Sequence, residues 1–158
     1  RSGKLHALIT HNIDELHTAA GNSRERVIEV HGTMRRVMCW SCGARAPMQE
    51  ALERVRAGEL DPSCLACGGI LKSDTVSFGQ ALVPEVIARA FALAGEADLL
   101  LAIGSTLQVY PVAGVVPLAK DNGAKVVIMN DQTTPMDELA DALLRGAIGE
   151  LLPAICEM

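Results

Sequence analysis

Aromatic side chains are scarce in this 158-residue chain, which has two Phe, one Tyr and one Trp. Basic charge is also short, with 14 Lys and Arg against 19 Asp and Glu and a net charge of −5. A surface that tracks phosphates or stacks bases needs basic patches interleaved with aromatics, so direct nucleic-acid binding is not expected. Long apolar runs are missing as well. The stretch 97–103 contains Asp98 and falls far below the ~18 residues a membrane span requires, so no membrane association is expected. The opening Arg1-Ser2-Gly3-Lys4-Leu5 carries neither an apolar signal region nor an initiating Met, and we expect an N-terminally truncated chain. What is present is enough apolar residue, 49%, for one core with a small satellite module.

Four of the five cysteines form two C-x2-C pairs, Cys39/Cys42 and Cys64/Cys67, separated by twenty-one residues. This is close to zinc-ribbon spacing, in which two thiolate knuckles close one tetrahedron. Neither knuckle contains a histidine or carboxylate to keep a position open for water, so the site is expected to be structural and the chemistry to lie elsewhere. Thiols kept free for metal suit a reducing compartment, and a cytoplasmic protein is expected. Cys156, alone in an apolar tail, is expected to be a packing residue.

The pattern along the chain alternates. Residues 5–9 read as a buried strand, 14–20 as a helix stopped by Gly21-Asn22, and 27–30 as a second strand that delivers His31-Gly32. The loop Thr10-His11-Asn12-Ile13 and His31 thus lie at strand C-terminal ends, the edge where ligands collect in open α/β sheets. After two knuckles flanking a helix at 48–57, a strand is expected at 75–79 and a helix from Pro84 to about 94. An apolar strand at 98–103, buried on both faces, should follow. A helix at 112–121, a strand at 125–129 and helices at 137–144 and 148–155 complete the reading. The fold class is therefore α/β: an incomplete Rossmann-like parallel sheet with helices on both faces and an inserted zinc-ribbon module. We expect the larger domain at 1–33 and 74–158, and the zinc module at 34–73.

Six motifs in order then resemble the sirtuin family. They are Thr10-His11-Asn12-Ile13-Asp14 with Leu16-His17 and Ala20-Gly21; His31-Gly32; the four cysteines with Cys67-Gly68-Gly69; Val76-Ser77-Phe78-Gly79; Gly104-Ser105-Thr106-Leu107 with Val109 and Pro111; and Asn130. The resemblance implies an NAD-dependent protein-lysine deacetylase or deacylase that acts on acyl-lysine proteins or peptides and releases nicotinamide and O-acyl-ADP-ribose. It implies His31 as general base, with Asn12 and Asp14 as further catalytic residues. NAD, the cosubstrate, would be bound by His11, Asn12, Ile13, Asp14, Gly104, Ser105, Thr106, Asn130 and Asp131. The acyl-lysine would be bound by Val76, Phe78 and Gly79, and one structural zinc by Cys39, Cys42, Cys64 and Cys67. Protein ADP-ribosylation is the neighbouring activity. A non-catalytic, zinc-containing binding module is the contrasting class if the chain is not truncated.

Bland roles compete at several of these positions. Asp14 can simply cap a helix, Asn12 can be a turn residue, and Phe78 can be ordinary core. There are also departures from the family. It usually has glutamine where this chain has His11, and Thr-Ser where this chain has Ser105-Thr106. The hydroxyl exchange preserves hydrogen-bonding capacity. Histidine replaces a flexible amide by a rigid ring that titrates near neutrality, which should shift ribose contacts and pH dependence. The family's glycine-rich pyrophosphate turn and its nearby arginine have no equivalent here.

Overall fold

The computed structural model describes residues 3–156. Its contacts divide the chain into two compact units, one ending at Val86 and the other starting at Ile87. The first unit contains β1 (Leu8–Thr10), α1 (Leu16–Ala19), β2 (Val27–Glu29), β3 (Gly32–Cys39), β4 (Arg45–Pro47), α2 (Met48–Arg56) and β5 (Leu71–Thr75). β1 and β2 pair in parallel with Leu8 opposite Val27 and Thr10 opposite Glu29. Val27 and Ile28 of β2, with Val30 just after it, are buried. β3 is the centre of a separate antiparallel sheet in the order β4-β3-β5.

Gly32 makes the join between these two sheets possible. Its φ is +74°, and a Cβ added there would lie 2.1 Å from the Asp74 carbonyl oxygen. Only glycine combines that φ with so close a strand approach. We expect Gly32→Ala to lower unfolding free energy by about 2–4 kcal/mol through overpacking and left-handed strain. A urea denaturation midpoint equal to the wild type would contradict this.

The chain passes between units within α3 (Pro84–Gly95). The second unit continues with β6 (Leu99–Ile103), α4 (Val115–Asp121), β7 (Lys125–Met129), β8 (Ala142–Leu144) and α5 (Ile148–Cys156). Its sheet is parallel, ordered β6-β7-β8. Val126 and Ile128 of β7, with Val116 and Ala119 of α4, are almost or fully buried and form its core. Full burial of each aliphatic side chain contributes about 1.5–3 kcal/mol before entropy is counted. Among the described residues no helix is long and apolar enough to cross a membrane.

Parallel pairing in both units fits the expected α/β class. Several elements differ from the sequence reading. The first helix is only four residues long, because Glu15 takes a left-handed φ of 59° and its carboxylate is held by Thr33 and Arg24. The strand expected at 75–79 lies earlier, at Leu71–Thr75, and belongs to the antiparallel sheet. Residues 137–144 are a short 3₁₀ turn followed by β8 rather than a helix. The Asp137 carboxylate is spent on Thr134 and Arg145, and Asp141 on Lys120, Lys125 and the Val126 N–H, which pins an extended chain beside β7. β6 is an edge strand, with Leu99 53% and Leu101 42% exposed, so it is not buried on both faces. Cys156 is exposed rather than packed. α5 sets Ile148 and Leu151 against Gly104 and Gly146, and Cys156 lies at its far end.

Candidate functional site

The four cysteines converge as their spacing predicts. Their sulfurs all lie within 4.8 Å of one another, with Cys39 and Cys67 at 3.5 Å and Cys42 and Cys64 at 3.8 Å. A tetrahedron with Zn–S bonds of ~2.3 Å has S···S edges of about 3.8 Å, so the set fits one zinc ion. Each knuckle is a tight turn: Gly43 N–H donates to the Cys39 carbonyl at 2.9 Å, and Gly68 N–H to the Cys64 carbonyl at 2.7 Å. Gly43 and Gly68 have φ of 71° and 73°, the left-handed values such turns need. The two knuckles are tied together by the Trp40 N–H, just after β3, donating to the Ile70 carbonyl at 2.8 Å.

Electrostatics explains why the set calls for a cation. The Cys42 N–H draws the Cys39 thiol down to about 6. Cys67 accepts the Gly69 N–H, which lowers it, yet the Cys42 and Cys39 sulfurs outweigh that bond and push it up to about 12. Four adjacent thiols ionise together only when a metal ion compensates the charge.

Histidines meet at the end of the β1–β2 pair. Thr10 closes β1 opposite Glu29, so His11 and His31 emerge side by side, and His11 Nδ1 lies 2.9 Å from His31 Nε2. The ring centroids are 5.0 Å apart and the planes tilted by 47°, an edge-to-edge contact made through nitrogen. The backbone holds both residues. Val30 N–H donates to the Thr10 carbonyl at 3.1 Å, and Val76 N–H to the His31 carbonyl at 2.9 Å. Burial holds His31 below the ordinary histidine value; burial first, and then the His31 ring, holds His11 below it. Both shifts favour the uncharged imidazole, the form able to accept a proton.

Asn12 is exposed, and its N–H donates to Thr10 Oγ1 at 3.1 Å, so its backbone makes the expected turn while its amide faces outward. The Ile13 carbonyl accepts the Met34 N–H at 2.9 Å, which ties the loop to β3. Half-buried Asp14 accepts the Leu16 N–H at 3.0 Å, so one carboxylate oxygen serves the entry to α1. Val76 is half-buried beside His31, whereas Phe78 is fully exposed and is not core. Gly79 has a φ of 83° in the turn closed by Ser77 and Gln80.

In the second unit Gly104 leaves β6 with a φ of 60°, and its N–H donates to the Met129 carbonyl at 2.9 Å. That bond sets Gly104, Ser105 and Thr106 beside Asn130 and Asp131, which follow β7. Ser105 Oγ accepts the Leu107 N–H at 3.2 Å, and Asn130 Nδ2 donates to the Gln132 carbonyl at 2.9 Å. Hydroxyls, amides and a carboxylate at two adjacent strand ends form a donor set suited to ribose and phosphate oxygens.

The sequence reading assigned no role to Glu15, Thr33 or Glu29. Thr33 is buried and donates to Glu15 at 2.9 Å, while Glu29 accepts the Glu15 N–H. These bonds brace the loop that carries His11 through Asp14. The available signal was a threonine immediately after His31-Gly32 where a buried strand calls for an apolar residue. A shallow cavity of about 260 Å³ lined by Glu15, Thr18, Ala19, Arg24 and Arg35 lies beside α1 and contains none of the expected site residues.

Comparison with known proteins places this geometry in context. The model of the Sir2 family matches residues 1–111. "NAD-dependent protein deacetylase 2" of Streptomyces coelicolor is 46% identical over 155 residues, which covers 98% of this chain and 64% of that protein. "NAD-dependent protein deacylase" of Thermococcus kodakarensis is 40% identical, covering 97% of this chain and 60% of its own. The solved structure "Sir2 bound to acetylated peptide" superposes with a TM-score of 0.88 at 30% identity, over 96% of this chain and 62% of that one. The chain thus spans a little over three-fifths of the length of these relatives.

Proposed function

The chain belongs to the Sir2 family, and from that premise we propose that its function is NAD-dependent removal of acyl groups from protein lysines, with release of nicotinamide and O-acyl-ADP-ribose. The observation that carries this reading is His31, its pKa held below the ordinary value at a strand end and in hydrogen-bond contact with His11, the residue that leads into Asn12, Ile13 and Asp14. A family name alone would not assign the chemistry, since function resides in the site.

NAD, when bound, supplies the electrophilic ribose carbon. The chain's own residues bind, orient and move a proton. His31 accepts the proton of a ribose hydroxyl, a task for a base that is neutral at working pH. Asn12 offers an outward-facing amide to a carboxamide, and the Asp14 oxygen not engaged by Leu16 orders a hydroxyl or water. His11 and Ile13 complete that wall of the cosubstrate site. Gly104, Ser105, Thr106, Asn130 and Asp131 meet ribose and phosphate oxygens. No nucleophilic side chain is needed, because the cosubstrate brings its own electrophile.

The acyl-lysine is received at Val76, Phe78 and Gly79. The N–H groups of Phe78 and Gly79 have no partner among the described residues, which suits main-chain pairing with an extended peptide. Zinc held by Cys39, Cys42, Cys64 and Cys67 maintains the β4-β3-β5 sheet, whose strand β3 begins immediately after His31. Free metal-binding thiols favour a reducing cytoplasm.

The test is mass spectrometry of acetyl-, propionyl- and succinyl-lysine peptides incubated with the full-length protein, with and without NAD. Peptide deacylation that requires NAD and yields O-acyl-ADP-ribose is the expected result. Absence of product from all three peptides, or an ADP-ribose mass gain on protein in place of deacylation, overturns the reading.

A further inference from the structure

We propose that His11 and His31 act as a hydrogen-bonded dyad, in which His11 holds His31 in the tautomer able to accept a proton at Nδ1 and carries the resulting positive charge. The proposal rests on the deacylase reading for its substrate, but on the geometry of this chain for the pair itself.

The contact is short and set by the backbone. At 2.9 Å, Nδ1 of His11 and Nε2 of His31 are within ordinary hydrogen-bonding distance. One of the two must carry the hydrogen and the other a lone pair, so the tautomers of the rings are locked together. The parallel register of β1 and β2 brings the two residues to the same sheet edge, and the His31 carbonyl is fixed by Val76. The neighbouring carboxylates have partners other than His31: Asp14 takes the Leu16 N–H through one oxygen, Glu15 holds Thr33 and Arg24, Glu29 the Glu15 N–H, and Asp74 pairs with Arg36 and Arg45. None of these carboxylates orients His31, which leaves His11 as its side-chain partner among the described residues.

With Nε2 of His31 engaged, Nδ1 is the nitrogen open to a hydroxyl. The productive pair has hydrogen on His31 Nε2, donated to the lone pair of His11 Nδ1, and hydrogen on His11 Nε2. When the ribose O–H bond breaks, an N–H bond forms at His31 Nδ1. The Nε2 proton then passes to His11 Nδ1. His31 ends neutral, His11 ends as the cation, and the ribose oxygen keeps the electron pair with which it attacks. His11 is a positioning residue here; it acts on the ribose proton through His31. A second imidazole differs from an amide because it can take the charge as well as hold the ring.

Nitrogen-15 spectra of the histidine-labelled full-length protein read the tautomer directly, without needing turnover. We expect His31 in the Nε2–H form in the wild type, and a mixture of both forms in His11→Leu. In peptide turnover, His11→Leu should lose roughly tenfold in kcat, part of the ~10²–10⁴ that a positioned base supplies, with little change in KM for the peptide. His11→Gln keeps a hydrogen-bond partner but cannot take up the proton, so it should restore the single tautomer while recovering only part of the kcat; full recovery of kcat overturns the charge-carrying role of His11. A wild-type His31 protonated at Nδ1, or a tautomer unmoved in both variants, overturns the dyad. Absence of all NAD-dependent turnover overturns the deacylase reading, while the spectra still decide the pairing.

Discussion

Replacing His31 by alanine is expected to lower NAD-dependent deacylation by about 10²–10⁴-fold while leaving metal content unchanged. The loss should appear in kcat, because the role proposed for the imidazole is to accept a proton during chemistry and not to hold the peptide. His31 is 20 residues from its partner His11 and eight before the first zinc cysteine, so the substitution spares the knuckles. Removing a half-buried ring at the end of β2 also leaves the backbone bond from Val76 in place. The pH profile carries the sign of the mechanism. His31 works as a base only when neutral, and burial holds its folded-state pKa below the ordinary value of ~6.5. Activity should therefore be flat through neutrality and fall only as pH drops below that value. Steady-state kinetics on the full-length variant, with metal analysis alongside, check both statements. Turnover within a few-fold of the wild type would remove His31 from the chemistry.

Removing a buried zinc ligand should produce the second large effect. Cys64→Ala is expected to empty the site and unfold the β4-β3-β5 sheet with α2. Cys64 is 5% exposed, and its backbone N–H and carbonyl organise the knuckle with Gly69 and Gly68. Apparent binding free energies of structural zinc sites reach ~10–16 kcal/mol, which is energy the apo module has no means to replace. The module is poorly placed to compensate, because Trp40, Leu65 and Ile70 are exposed instead of forming a core of their own. Metal analysis should give a zinc-to-protein ratio near one for the wild type and near zero for the variant. Hydrogen exchange should lose protection across β3, β4 and β5 but keep it in β7, whose Val126 and Ile128 belong to a separate apolar core. Undiminished zinc, or unchanged protection in β3, would exclude the four-thiolate site.

Local chemistry was legible wherever the determining interactions are short in sequence. Each C-x2-C pair closes its own turn with the help of a following glycine, so spacing alone predicted the metal cluster. α2 and α3 follow from helical periodicity, and β7 from a short apolar run between turn residues. Readings failed where a distant side chain decided the backbone. The 137–144 segment has helix-like spacing, but Arg145, Lys120 and Lys125 draw Asp137 and Asp141 into ion pairs that fix a turn and a strand. The helix expected from Asp14 starts only at Leu16 because Thr33, eighteen residues away, holds Glu15.

The candidate site divides in the same way. Residue types and their order along the chain determined which groups are candidates: His31 after a strand, a polar loop at 11–14, and Gly104 and Asn130 at later strand ends. Tertiary structure decided their mutual chemistry. Only the parallel register of β1 against β2 brings His11 Nδ1 to His31 Nε2, and only the lack of a side chain at Gly32, where a Cβ would lie 2.1 Å from the Asp74 carbonyl oxygen, lets β3 leave that edge toward the zinc cysteines. A sequence specifies donors, acceptors and charges, but a hydrogen bond between residues twenty positions apart exists only once strand pairing has met the entropy of closing the loop between them.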